Sequence, residues 1–128
     1  MDLFGNLKNK INIMNKEFIP YEQALELKEL GFDIPSVSGY SYPDSDNLLT
    51  QAILYQQAFR WFREKYGLFS SEVYDRGLDN GKLPIIHSYS FRILNLNNFE
   101  DFYGTTFNTY EEAELACLKK LIEIIKIK

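Results

Sequence analysis

The sequence predicts an α+β fold: a three-stranded antiparallel meander with two long helices on one face and a short N-terminal helix. Three observations lead there. Residues 110–125 and residues 48–66 carry apolar side chains at helical spacing. The stretch between them, residues 68–107, changes to strand-like alternation broken by turn residues. That alternation is one-sided over residues 85–93, which fits a sheet covered on a single face.

Residues 1–17 read as an extension ahead of a single domain at 18–128. Leu3, Leu7, Ile11 and Met14 share helical spacing, but Asn6, Asn9, Asn12 and Asn15 keep the segment polar. The pattern is that of a weak helix leaning on the domain or on a partner. The same polar residues, with Lys8, Lys10 and Lys16, deny it the apolar core of a secretory signal.

A helix is expected from Pro20 to Leu30. Proline suits the first helical position, where its missing N–H would be unpaired anyway. Tyr21, Ala24, Leu27 and Leu30 form the apolar stripe, and Gly31 is the residue to end it. Phe32 can then fold back on the last turn. Residues 33–47 form a connector in which Val37 to Tyr42 suggests a short edge strand between Pro35 and Pro43. Asp44, Ser45, Asp46 and Asn47 offer caps for a helix over residues 48–66. Ala52, Tyr55, Phe59, Phe62 and Tyr66 line one face of that helix, with Leu54, Ala58 and Trp61 beside them.

After Gly67 the strands begin. Asp79-Asn80-Gly81 is a hairpin signal, because Asn-Gly tolerates positive φ at both central positions. In the next strand Ile85, His87, Tyr89, Phe91 and Ile93 are expected to point one way. Asn95 to Asn98 reads as the following turn, and Phe99 to Phe107 as a third strand weakened by Gly104. The last helix opens with a capping box: Thr109 can accept from the N–H of Glu112, and the Glu112 carboxylate can reach back. Its core line is Ala113, Cys117, Leu121 and Ile124. The alternation of residues 124–128 leaves its end open.

The composition narrows the function classes. The 128-residue chain has a net charge of −4, which opposes nonspecific binding to nucleic acid, since that needs a basic face. A single cysteine, Cys117, cannot form an internal disulfide, so a reducing cytoplasmic setting is the default. No apolar run approaches membrane-spanning length. Ten Phe, nine Tyr and one Trp imply an aromatic-rich core or an exposed aromatic patch.

No catalytic constellation stands out, and no catalytic, cofactor or metal residue is assigned. His87 is the only histidine; without a second ligand or an orienting carboxylate nearby, a sheet histidine with one hydrogen bond is the plainer account. Cys117, on a core line, behaves as a small apolar residue. Asp44, Asp46 and Asn47 lack the central glycine and the final glutamate of a calcium loop. Glu111, Glu112 and Glu114 stand at a helix start, where acidic side chains stabilise the dipole. The candidate partner-binding residues are Arg60, Trp61, Arg63 and Tyr66, with Lys65 among them. Arg and Trp are common interface anchors, although a basic wet side on an amphipathic helix explains the same residues.

Three blocks carry a resemblance: Tyr21 to Asp33, Leu54 to Leu68 and Tyr110 to Leu118. In this order they resemble a family of small uncharacterised proteins from phages of gut bacteria and their host genomes. That family has no assigned activity, so the resemblance implies a phage or mobile-element setting and no functional residue. The expectation is a non-catalytic protein-binding accessory protein without cofactor. It would act in the cytoplasm of the bacterial host or be carried in the virion, bound to a host or phage protein or to copies of itself. The alternative is a single-stranded nucleic-acid-binding protein using Arg60, Arg63, Arg92 and exposed aromatics. A small enzyme built around His87 is the third reading.

Overall fold

A computed structural model describes residues 17–33, 41–43, 49–79 and 83–127. Its elements are α1 (Tyr21–Glu29), β1 (Ser41–Pro43), β2 (Leu49–Gln51), α2 (Tyr55–Tyr66), β3 (Leu68–Asp79), β4 (Leu83–Asn95), β5 (Glu100–Tyr103) and α3 (Tyr110–Ile127). The fold class is α+β, with three helices and an open antiparallel sheet in the order β3-β4-β5 among the described residues. The chain divides into two compact units, Met1–Gln57 and Ala58–Lys128, with the border inside α2.

In the first unit, residues 17–19 meet residues 53–55. Phe18 and Leu54 form an antiparallel bridge, Ile19 N donates to Ile53 O at 2.8 Å, and Tyr55 N to Glu17 O at 3.0 Å. Phe18, Ile19, Ala52 and Ile53 are buried. Pro20 is the N-cap of α1, so the helix begins one residue later than expected: its ψ of 153° is extended, and its carbonyl accepts from Ala24 N at 3.0 Å. Beyond the C-cap Leu30, Gly31 adopts a φ of 99°. Gly31 N then donates to Lys28 O at 3.0 Å and Phe32 N to Leu27 O at 2.9 Å. This is the paired closure of a Schellman motif, with Phe32 and Leu27 both buried.

The expected helix over 48–66 begins later, at Tyr55. Residues 49–51 instead pair with residues 41–43 as a two-stranded ribbon, Pro43 opposite Leu49. Gln57 sets the new start by accepting the Leu54 N–H at 3.0 Å, as the third residue of a capping box does. The proposed caps at 44–47, the strand residues 37–40 and the N-terminal helix before residue 17 lie outside the described residues.

In the second unit β3 and β4 pair along their length, from Leu68 opposite Asn95 to Asp79 opposite Leu83. The register brackets the expected hairpin turn, and residues 80–82 lie outside the described residues. Asp75 faces Ser88 but Arg76 faces Ile86, so His87 is the extra residue of a β-bulge. A bulge breaks the two-residue period, so the single alternation expected through Ile85 and His87 does not run unbroken to Phe91. β5 pairs with β4 over Glu100–Tyr103. Gly104 continues the ladder, donating to Phe91 O at 2.9 Å, and Phe107 then bridges Tyr89. Three steps on this side match two on β4, a second bulge at Thr105 and Thr106.

The β4–β5 turn is closed by its asparagines. Buried Asn95 accepts Asn97 N at 2.9 Å, and Asn98 accepts Glu100 N at 3.0 Å. Phe99, at a φ of 62°, donates to Asn95 O at 2.7 Å. Asn97 Nδ2 also donates to Tyr66 O at 2.8 Å, and Leu96 N to Gly67 O at 3.0 Å. The turn therefore satisfies carbonyls at the end of α2, which a helix C-terminus leaves open.

α3 packs on β3 and β4. Thr109 Oγ1 accepts from Glu112 N at 3.2 Å, the first half of the expected box. Ala113, Cys117, Leu118, Leu121, Ile122 and Ile124 are buried, and the helix continues to Ile127. Each buried leucine or isoleucine is worth roughly 1.5–3 kcal/mol, so this face dominates the attachment of α3.

Candidate functional site

Paired residues in an antiparallel sheet share a face, and neighbours along a strand alternate. Ser70, Ile93 and Phe102 form a row on one face, and Glu72 and Phe91 the next. α3 covers this face: Leu68, Phe91 and Ile93 are buried, Tyr89 meets Tyr110 edge on at 6.2 Å, and Lys120 Nζ lies 5.4 Å from the Phe102 ring centre.

The opposite face carries the rows Phe69–Leu94–Asp101, Ser71–Arg92–Tyr103 and Val73–Ser90. Here Phe69 is 40% exposed, Val73 44% and Tyr103 69%. Arg92 is exposed between them: its Nε donates to Asp101 Oδ1 at 2.9 Å, and its guanidinium lies 5.8 Å from the Tyr103 ring centre. Arg63 stands 6.0 Å from the Phe69 ring centre. The result is an open surface of aromatic and aliphatic groups with arginines laid over two of the rings. Exposed ion pairs of the Arg92–Asp101 kind hold little free energy, so Arg92 can exchange Asp101 for an incoming carboxylate at small cost.

The four residues singled out on α2 do not present one exposed surface. Arg60 and Arg63 are exposed, Tyr66 is half-buried and Trp61 is buried. Arg60 Nε pairs with Glu64 at 2.8 Å. The Trp61 ring meets Phe62 at 5.0 Å and Tyr66 at 5.4 Å, and its cation is Lys65, 5.0 Å from its centre. Helical geometry separates neighbours one or two positions apart, so Trp61 and its flanking arginines point in different directions.

A second group was missed altogether. Tyr110, Glu114 and Cys117 lie one turn apart on the inner side of α3, against Glu72 and Ser70 of β3. The Tyr110 hydroxyl faces Glu72 and Glu114, with a single proton to share between them; loss of water first, then the two negative charges, pushes its pKa up to about 12. Glu114, only 9% exposed, is pushed up to about 7 by burial, then by the charges of Glu72 and Glu111, with the Tyr110 bond acting the other way. The Cys117 thiol is pushed up to about 12 by burial and by Glu72, and the Ser70 hydroxyl partly offsets this. A thiol held protonated is a poor nucleophile, so the cluster contains no activated cysteine. The sequence did carry a signal: Tyr110, Glu114, Cys117 and Leu121 follow the i, i+4, i+7 stripe that faces a core.

Among the described residues no group of three or more His, Cys, Asp or Glu could hold a metal ion. Nor is any helix among them long and apolar enough to cross a membrane. His87 sits at the β4 bulge, and its expected inward-facing side chain lies outside the described residues. Comparison of the chain with protein-family models, with curated proteins and with solved structures finds no match in any of the three.

Proposed function

We propose that this chain is a non-catalytic protein-binding accessory protein, of phage or mobile-element origin, that meets its partner with the open face of the β3-β4-β5 sheet. One observation carries the reading: Phe69, Val73 and Tyr103 are exposed together around Arg92 on the face that α3 leaves bare. Monomeric proteins seldom leave large apolar groups clustered, and aromatic residues with arginine are the usual anchors of an interface. The partner is a host or phage protein, in the cytoplasm of an infected bacterium or in the particle. Affinity purification from phage-infected cells, followed by mass spectrometry, should recover a partner with the wild type and lose it with Arg92→Ala and Tyr103→Ala. Retention of every wild-type partner by both folded variants would refute the assignment of this face.

A second reading rests on the same rings. Aromatics on an open sheet with arginines over them can stack bases of single-stranded nucleic acid. The net charge of −4 and the Arg92–Asp101 pair weigh against it. Fluorescence anisotropy with labelled oligothymidylate decides between the two. Salt-sensitive binding that Tyr103→Ala abolishes would favour nucleic acid over a protein partner.

A further inference from the structure

We propose that the free edge of β3 pairs antiparallel with β3 of a second copy of this chain, centred on Ser71, so that two sheets join into one. Backbone bonding identifies the residues of β3 that are free to do this. On β4, Tyr89 exchanges both of its bonds with Phe107, at 2.9 and 2.7 Å, and Phe91 O accepts from Gly104 N at 2.9 Å. These two residues aim their N–H and C=O groups away from β3, so Ser90 and Arg92 aim theirs toward it. Val73 and Ser71, opposite them, spend their groups on β4, as Gly67 does in accepting from Leu96 N at 3.0 Å. Alternation leaves Ser70, Glu72 and Tyr74 with N–H and C=O groups directed out of the sheet. Among the described residues β3 has no strand beyond it.

The two edges of the sheet are built differently. β5 is four residues long, carries Glu100 and Asp101, and gives way to a bulge, all of which discourage an incoming strand. β3 is twelve residues long and has no proline or lysine, and the extra residue of its bulge with β4, His87, belongs to β4. Leu68 is fully buried, so the open edge begins at Phe69. From there to Val73, Ser70 and Glu72 are half-buried and the other three residues exposed.

The sequence along that edge complements itself. With Ser71 opposite its own copy, Phe69 meets Val73 of the second copy, and Val73 meets Phe69, on the face that α3 leaves bare. On the other face Ser70 lies opposite Glu72, in pairs that exchange both backbone bonds. The two Glu72 carboxylates then stand on a diagonal, about 7–8 Å apart. Moving the centre to Glu72 would set those charges directly opposite each other, and moving it to Ser70 or Val73 would break both Phe69–Val73 pairs. Charge and apolar matching therefore select one register, and the occupant they select is a second copy. The two-fold axis stands perpendicular to the sheet, so the open faces of the two copies become continuous.

Sedimentation velocity of the full chain over a concentration series should show twice the mass of one chain, dissociating on dilution. Ser71→Lys sets two exposed cations face to face at the centre; it should sediment as one chain throughout, with an unchanged circular dichroism spectrum. Ser71→Cys reads the register. Ser71 and its copy form a non-hydrogen-bonded pair with Cα atoms about 4.5 Å apart, within the roughly 4.4–6.8 Å that a disulfide spans. Mild oxidation should therefore convert Ser71→Cys to a covalent dimer, whereas Val73→Cys, opposite Phe69, should stay uncrosslinked. The native Cys117 is buried and stays silent in both. Tyr103→Ala, two strands away on β5, should leave the dimer intact, so failure of the edge and failure of the partner-binding face are read separately. A single chain at every concentration of the wild type, a dimer that survives Ser71→Lys, or Ser71→Cys oxidising no faster than Val73→Cys would overturn the pairing.

Discussion

Gly104→Ala is a sharp test of how the sheet is packed. A Cβ at this position would lie 2.3 Å from Phe91 Cε1, 2.5 Å from Cδ1 and 2.9 Å from Cζ, where ordinary contact begins at 3.4 Å. The ring would have to retreat by about 1 Å, and it has nowhere to go. Phe91 is 5% exposed, lies beneath α3 and is stacked on Phe107 with centroids 6.5 Å apart and planes at 23°. Overpacking of this kind costs about 1–3 kcal/mol. Reduced freedom of the unfolded chain returns about 0.4–1 kcal/mol, leaving a net loss of about 1–2 kcal/mol. Urea unfolding followed by circular dichroism should show a lower midpoint at an unchanged slope. Repeating the substitution in a Phe91→Val background isolates the clash, because valine has no atoms at the δ, ε or ζ positions that crowd the new methyl group. The alanine should then cost less than about 0.5 kcal/mol. An unchanged midpoint in the first experiment, or equal costs in the two backgrounds, would refute the argument.

Other outcomes follow from the same structure. Thr109→Ala removes the side-chain acceptor for Glu112 N and should destabilise the chain by about 1 kcal/mol in the same titration. Phe99, 78% exposed at a φ of 62°, contributes little burial and occupies a strained backbone region. Phe99→Gly should therefore raise stability by about 1 kcal/mol; a loss of that size would show that the ring packs more than its exposure indicates. Cys117, buried with its thiol pushed up to about 12, should resist iodoacetamide at mildly alkaline pH and react fully in denaturant, as intact mass will report.

Much of the fold was legible because its signals are local. Thr109 and Glu112 mark a helix start within four residues, and Gly31 with Phe32 marks an end within two. Asp79-Asn80-Gly81 is bracketed by the β3–β4 register. What escaped depends on partners distant in the chain. Ala52 and Tyr55 keep helical spacing, so nothing nearby announces that residues 49–51 pair with 41–43. The bulge at His87 is set by register against β3, which alternation alone cannot reveal. At the site, Trp61 was grouped with arginines by proximity in sequence, whereas a helix turns neighbours away from one another. Glu114 was read with Glu111 and Glu112 as part of an acidic first turn, and its place in the Tyr110–Cys117–Leu121 stripe was the better guide. The open-face set of Phe69, Arg92 and Tyr103 comes from three strands, so only pairing assembles it.

The clasp between the β4–β5 turn and α2 bears on how the chain can be handled. Hairpin tips are ordinarily the safest places to insert a tag or open new termini. This one is an exception, since Asn97 and Leu96 hold the Tyr66 and Gly67 carbonyls. Cutting or lengthening the loop there would unstitch the last turn of a helix some thirty residues upstream. A fluorophore or fusion intended to leave the domain intact belongs elsewhere.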